Sequence, residues 1–154
     1  MLRVNPVTAK LTLAYFAYDM TKNIPHEIAK TREIARFTKQ PLAVRAEEWW
    51  NEKRSEVSRL QKAGVRDIHK NPALALSLNL NLFVDNRANE LQFDSGQKEK
   101  YRSLMQALVF NPEEVSLDHL HPDTANQLRA DADLFKRTMT SAYQNVILKV
   151  LGNS

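Results

Sequence analysis

Few residues in this chain combine the type and the spacing that chemistry needs. His119 and His121 flank Leu120, with Asp118 and Asp123 beside them. In an extended segment both imidazoles point to one side and could hold a divalent ion such as zinc or nickel. On a helix they stand about 200° apart and could not. No third and fourth ligand stands at a diagnostic spacing, so His119 and His121 are weak metal candidates. The plainer reading is two solvated histidines in the loop before Pro122. His26-Glu27 resembles the opening of a zinc-protease helix, but the second histidine is missing. Glu48 and Glu52 are four apart, as paired carboxylates sometimes are. Lys53, Arg54 and Glu56 share their surface, which favours a solvated, salt-bridged face. The sequence holds no Gly-x-Gly, Gly-Lys-Ser/Thr, Gly-x-Ser-x-Gly or kinase signature. No cysteine is present, which excludes a disulfide framework, a thiolate zinc site and a cysteine nucleophile. No cofactor is expected. An enzyme built from scattered residues stays open, but the reading leans away from one.

Two groups fit binding better than catalysis. Arg32, Arg36 and Lys39 recur at helical spacing, with Lys22, Lys30 and Arg45 close in sequence. Such a stripe could neutralise phosphates and release their counterions, which makes residues 22–45 a nucleic-acid candidate. Phosphate contact alone carries no sequence choice; Thr38 or Gln40 would have to reach base edges. Glu27 and Glu33 weaken the stripe's field, and a solvated helix face is the simpler account. The second group is Trp49-Trp50. Neighbours on a helix stand about 100° apart, so Trp49 is expected in the core and Trp50 at its border, where large aromatics anchor protein interfaces. The alternative is that both rings pack inside. Phe16 and Met20 join them as partner-contact candidates, because they lie on a first helix that is apolar nearly all round.

The elements that carry these residues are marked by punctuation. Asn5-Pro6, Asn71-Pro72 and Asn111-Pro112 each read as a helix start, the Asn as cap and the Pro in the first turn. Gly64 and Gly152 stand where long helical patterns end. A first helix is predicted over 6–22 and a second from Pro25 to the residue before Pro41. A third runs from Pro41 to Ala63, with Leu42, Ala46, Trp49, Val57 and Leu60 on its buried face. Residues 73–84 are ambiguous. Leu74, Leu76, Leu78, Leu80 and Leu82 alternate as in a strand, while the Asn-Pro start and the Leu/Ala content favour helix. Helix is the preferred reading, and a lone strand pairing with a second copy is the alternative. Residues 85–96 read as a polar loop, with Asp94 placed to cap a helix from 97 to 110. A short helical turn follows Asn111-Pro112. Pro122 then opens a last helix to Leu151, roughly 45 Å long, with Leu128, Ala132, Phe135, Met139, Ala142, Tyr143, Val146 and Val150 along its seam.

Together these predict an all-α fold: a single-domain bundle, 1–154, of about five to six helices with a long C-terminal one. Apolar residues at 43% and charged residues at 26% are ordinary for a globular chain. The longest uncharged apolar stretch near the start, Leu11 to Tyr18, is far too short to span a bilayer. A cytoplasmic location, or delivery without a cleaved signal peptide, is expected. Net charge is +4, divided unevenly. Residues 1–70 hold 14 Lys/Arg against 8 Asp/Glu, a balance of +6; residues 71–154 hold 8 against 10, a balance of −2. An anionic partner is therefore expected on the N-terminal half. The leading function is a non-enzymatic helical protein–protein interaction module of adaptor, chaperone, inhibitor or effector type, binding a protein or itself. A basic helical nucleic-acid-binding domain is the alternative, and a self-assembling structural subunit is the third reading.

Overall fold

The computed structural model describes residues 42–67 and 71–152, all of them helix, turn or loop. Four helices carry the fold: α1 (Leu42–Lys62), α2 (Ala75–Glu90), α3 (Ser95–Phe110) and α4 (Pro122–Gly152). Two 3-10 turns, Pro72–Leu74 and Pro112–Glu114, join them, and no strand occurs among the described residues. The two helices predicted before Pro41, and with them the count of five to six, involve residues outside this range.

Each helix end has a local cause. Gly64 takes φ +77°, Gly64 N–H donates to Gln61 O at 3.0 Å and Val65 N–H to Leu60 O at 2.9 Å. This is the Schellman stop expected at that glycine, with Leu60 and Val65 both packed on the core. The end of α2 repeats the pattern without a glycine: Gln92 holds φ +56°, and Phe93 N–H donates to Ala88 O at 2.9 Å. Asp94 caps α3 as predicted, in a reciprocal box with Gln97. Asn111-Pro112 opens only a 3-10 turn, and the Asn111 side chain does not cap it. It accepts instead from the Ser58 hydroxyl on α1, tying that turn to the neighbouring helix.

The leucine run resolves as helix, preceded by the 3-10 turn at Pro72. Leu76 and Leu80 face the core with Phe83 and Val84. Residues 85–90, predicted as loop, continue α2. Their polar side chains pair along the helix, Asn86 Nδ2 donating to Glu90 Oε1 at 3.1 Å and Arg87 Nη1 to Glu90 Oε2 at 2.9 Å. The polar run is helical, with Arg87 and Ala88 turned inward.

Pairings across the interfaces set the helix directions. Asn81 meets Gln106 and Asp85 meets Arg102 and Lys98, so α2 and α3 run antiparallel across a four-residue connection. Arg45 lies over Tyr143, Trp50 sets its edge on Phe135 and Arg54 shares a cleft with Arg129, so α1 and α4 are also antiparallel, with Trp49 stacked on Tyr143. The core between them holds Val57, Leu80, Met105, Phe110, Phe135, Met139 and Ile147. Of the predicted α4 seam, Leu128, Phe135, Met139, Ala142 and Tyr143 are buried and Ala132 is half-buried, while the side chains of Val146 and Val150 lie outside the described set. Asp131, absent from that seam, is fully buried in it.

Candidate functional site

The α2 helix is apolar on more than one side. With Leu76, Leu80, Phe83 and Val84 committed to the core, Leu78 falls on the flank toward the open space between α1 and α3, and Leu74, itself buried in the core cluster, reaches that flank from the 3-10 turn. There they line a groove of about 710 Å³ with Val65 from the end of α1. Ser77 and Asn81 share that flank, since 74, 77, 78 and 81 follow helical spacing. From α3 come Arg102, Ser103 and Gln106, and from the end of α1 come Gln61 and Arg66.

The polar members form a connected row. Gln61 Nε2 donates to Ser77 Oγ at 3.1 Å and to Gln106 Oε1 at 3.2 Å. Ser77 Oγ donates to the same Oε1 at 3.4 Å, and Gln106 Nε2 donates to Asn81 Oδ1 at 2.8 Å. These bonds employ the nitrogen of Gln61 and the oxygen of Asn81. Gln61 Oε1 and Asn81 Nδ2 make no hydrogen bond among the described residues, leaving one acceptor and one donor unused. No acidic residue lines the groove among the described residues. Arg66 is exposed and has no ion pair among the described residues. Arg102 is compensated by Asp85 and by Glu99 at 2.8 Å.

Two shallower clefts flank α1. One, of about 270 Å³, gathers Arg54, Arg59 and Lys62 with Ser55 and Ser58. The acidic 3-10 turn offsets it, with Glu113 at 3.8 Å from Arg54 and Glu114 at 2.7 Å from Lys62. The other, of about 250 Å³, lies over Trp50 between α1, α3 and α4.

The residues singled out from sequence are placed as follows. Phe16, Met20, Arg32, Arg36 and Lys39 lie outside the described residues. Trp49 is buried and stacked on Tyr143 at 4.7 Å between ring centroids. Trp50, predicted at the border, is only 4% exposed. It is drawn in by the edge contact with Phe135 at 6.1 Å, and its ring floors a cleft instead of projecting from one. Arg45, grouped with the basic stripe, is buried at 1% exposure. Its guanidinium lies 5.9 Å over Tyr143 and within 4.0 Å of Glu48 and 3.8 Å of Glu52. A charge so enclosed cannot present itself to a phosphate backbone. The same contacts give Glu48 and Glu52 their place, as ion-pair partners on the α1 surface. His121 Nδ1 accepts from Asp123 N at 3.2 Å, so this imidazole caps α4. His119 is exposed in the turn before it, and no group of three or more metal-binding side chains is gathered among the described residues.

One buried polar cluster was not foreseen. Tyr101 donates its hydroxyl to Asp131 Oδ2 at 2.6 Å, and Arg87 Nε stands 3.5 Å from Asp131 Oδ1 without hydrogen-bonding it. Burial pushes the Asp131 carboxyl above its usual range, against the opposing pull of Tyr101 and Arg87. Burial and the neighbouring carboxylate push the Tyr101 phenol well above its own range. None of these three clefts is lined by the cluster. Among the described residues, no helix is long and apolar enough to cross a membrane. No protein-family model matches the sequence, and no curated protein or solved structure matches it.

Proposed function

We propose that this chain is a non-enzymatic helical protein–protein interaction module and that it receives its partner in the groove between α1, α2 and α3. The observation that carries this reading is the second apolar flank of α2. Leu78 stands beside a 710 Å³ groove, joined there by Leu74 from the 3-10 turn, while Leu76 and Leu80 of the same helix fill the core. A helix apolar on two sides belongs between two surfaces, and the described residues supply only one. The groove's size is in the range that encloses a small ligand or a short peptide segment. Trp49 and Trp50 then serve as packing behind the interface, while Phe16 and Met20 keep their place as a separate candidate contact.

The test is a photo-crosslinking amino acid at Ser103, on the groove, compared with one at Ser141 on the exposed side of α4. In the cells that make the protein, adducts with a defined polypeptide are expected from position 103 and not from 141. Leu78→Arg, checked for folding by circular dichroism, is expected to abolish them. Absence of polypeptide adducts at 103 would count against the module reading. Adducts to nucleic acid would move the function to the alternative reading.

A further inference from the structure

We propose that the groove recognises an extended peptide segment with alternating apolar and acidic side chains. This rests on the interaction-module reading and adds the chemistry of the partner. The first argument is the polar row. A helical partner satisfies its own backbone and asks only for apolar contacts. An extended segment brings free N–H and C=O groups that must be paired once water is displaced. Side-chain amides suit that need because each carries both a donor and an acceptor. The row supplies them unspent: Gln61 Oε1 accepts from a peptide N–H, and Asn81 Nδ2 donates to a peptide C=O. Their other atoms are fixed by Ser77 and Gln106, at 2.8 to 3.2 Å, so both amides are held in place before a partner arrives.

The second argument concerns side chains. Successive residues of an extended segment point to opposite sides. Those facing inward meet Leu74, Leu78 and Val65 and are apolar. Those facing outward pass the rim, where Arg66 is exposed and has no ion pair among the described residues. Among the described residues the lining has no carboxylate that would repel an acidic side chain there, and Arg102 is already compensated by Asp85 and Glu99. A basic segment would place like charges together and gain nothing in return. The partner is thus read as an internal segment carrying Asp or Glu, recognised by its side chains and not by a terminal carboxylate.

The test uses the full chain and three pools of acetylated, amidated hexapeptides. All pools carry Leu, Val or Phe at alternate positions; the remaining positions are Asp or Glu in one, Ser in the second and Lys in the third. Binding is read by fluorescence anisotropy and by amide shifts of the protein in nuclear magnetic resonance spectra. The acidic pool is expected to bind about tenfold more tightly than the Lys pool, and Arg66→Glu to erase or reverse that order. N-methylation of alternate amides in the acidic pool is expected to weaken binding roughly tenfold, with shifts at Gln61 and Asn81 lost. Equal binding of the Lys pool, unchanged binding after N-methylation, or shifts confined to other surfaces would each overturn the proposal. If no pool binds while crosslinks at position 103 still report a polypeptide, the module reading stands and the extended acidic partner falls. If neither experiment gives a signal, both fall.

Discussion

Asp131 is fully buried on α4, opposite Tyr101 and Arg87, and the three form the one charged cluster inside the described core. Its raised carboxyl sets an unusual sign. A group harder to ionise in the folded chain stabilises the fold when protonated, and that contribution fades as pH rises from about 4 through the raised value. Asp131 thus opposes ordinary acid unfolding. In urea titrations, wild type is expected to gain stability relative to Asp131→Asn as pH is lowered from 7 to 4.5; a constant difference would contradict this. Tyr101 acts at the other limb. Its contribution is complete below its ordinary value of about 10 and is lost as pH climbs beyond it. Tyr101→Phe strips Asp131 of its donor and is expected to cost about 2 kcal/mol at neutral pH, with a shallower alkaline decline than wild type. Asn79 is a different case. It is fully buried, its Nδ2 reaches only Met139 Sδ at 3.6 Å and its Oδ1 has no hydrogen bond. Asn79→Leu removes an unmet polar group from an apolar site and is expected to raise stability by about 1 kcal/mol, read as a higher urea midpoint.

At the scale of elements, the two Schellman stops form a controlled pair. Gly64 occupies the left-handed region at no steric cost, and Gln92 occupies it against the preference of any residue with a Cβ. Gln92→Gly is expected to stabilise the fold by roughly 1 kcal/mol and Gly64→Ala to destabilise it by a similar amount. Thermal melts of the two variants would separate in opposite directions, and melts shifting the same way would refute the account. These stops also mark where the sequence was legible. Gly64, Asp94 and Pro122 act through their immediate neighbours, so their effects are local and readable. The end of α2 was missed because Gln92 carries no compositional mark of a left-handed residue. The polar run 85–90 misled for a related reason, since charges paired along a helix look like those of a loop. The groove was legible only as the unexplained leucine alternation. Gln61, Ser77, Asn81 and Gln106 come from three helices, and no spacing within one helix announces a row that tertiary packing creates. The burial of Trp50 and Arg45 has the same kind of cause, each drawn inward by an α4 aromatic, 85 and 98 residues away.

At the scale of the whole molecule, the four-residue connection between α2 and α3 has a consequence in time. Residues that meet across this pair, such as Asp85 with Lys98 and Arg102, are near in sequence, so bringing them together costs little loop entropy. The α1–α4 contact is the opposite case: Lys136 meets Glu47 across 89 positions, and the Trp49–Tyr143 stack spans a similar distance. Closing so long a loop is worthwhile only once a surface exists to receive it. The α2–α3 hairpin is therefore expected to be the folding nucleus, with α1 docking last. In pulsed hydrogen-exchange refolding, amides of α2 and α3 should gain protection before those of α1, and simultaneous protection would refute the order. Leu80→Ala would then slow folding, whereas Trp49→Phe would chiefly hasten unfolding. Because α1 contributes Gln61, and the segment that follows it Val65 and Arg66, the groove would be the last part of the molecule to exist as the chain folds and the first to vanish as it opens.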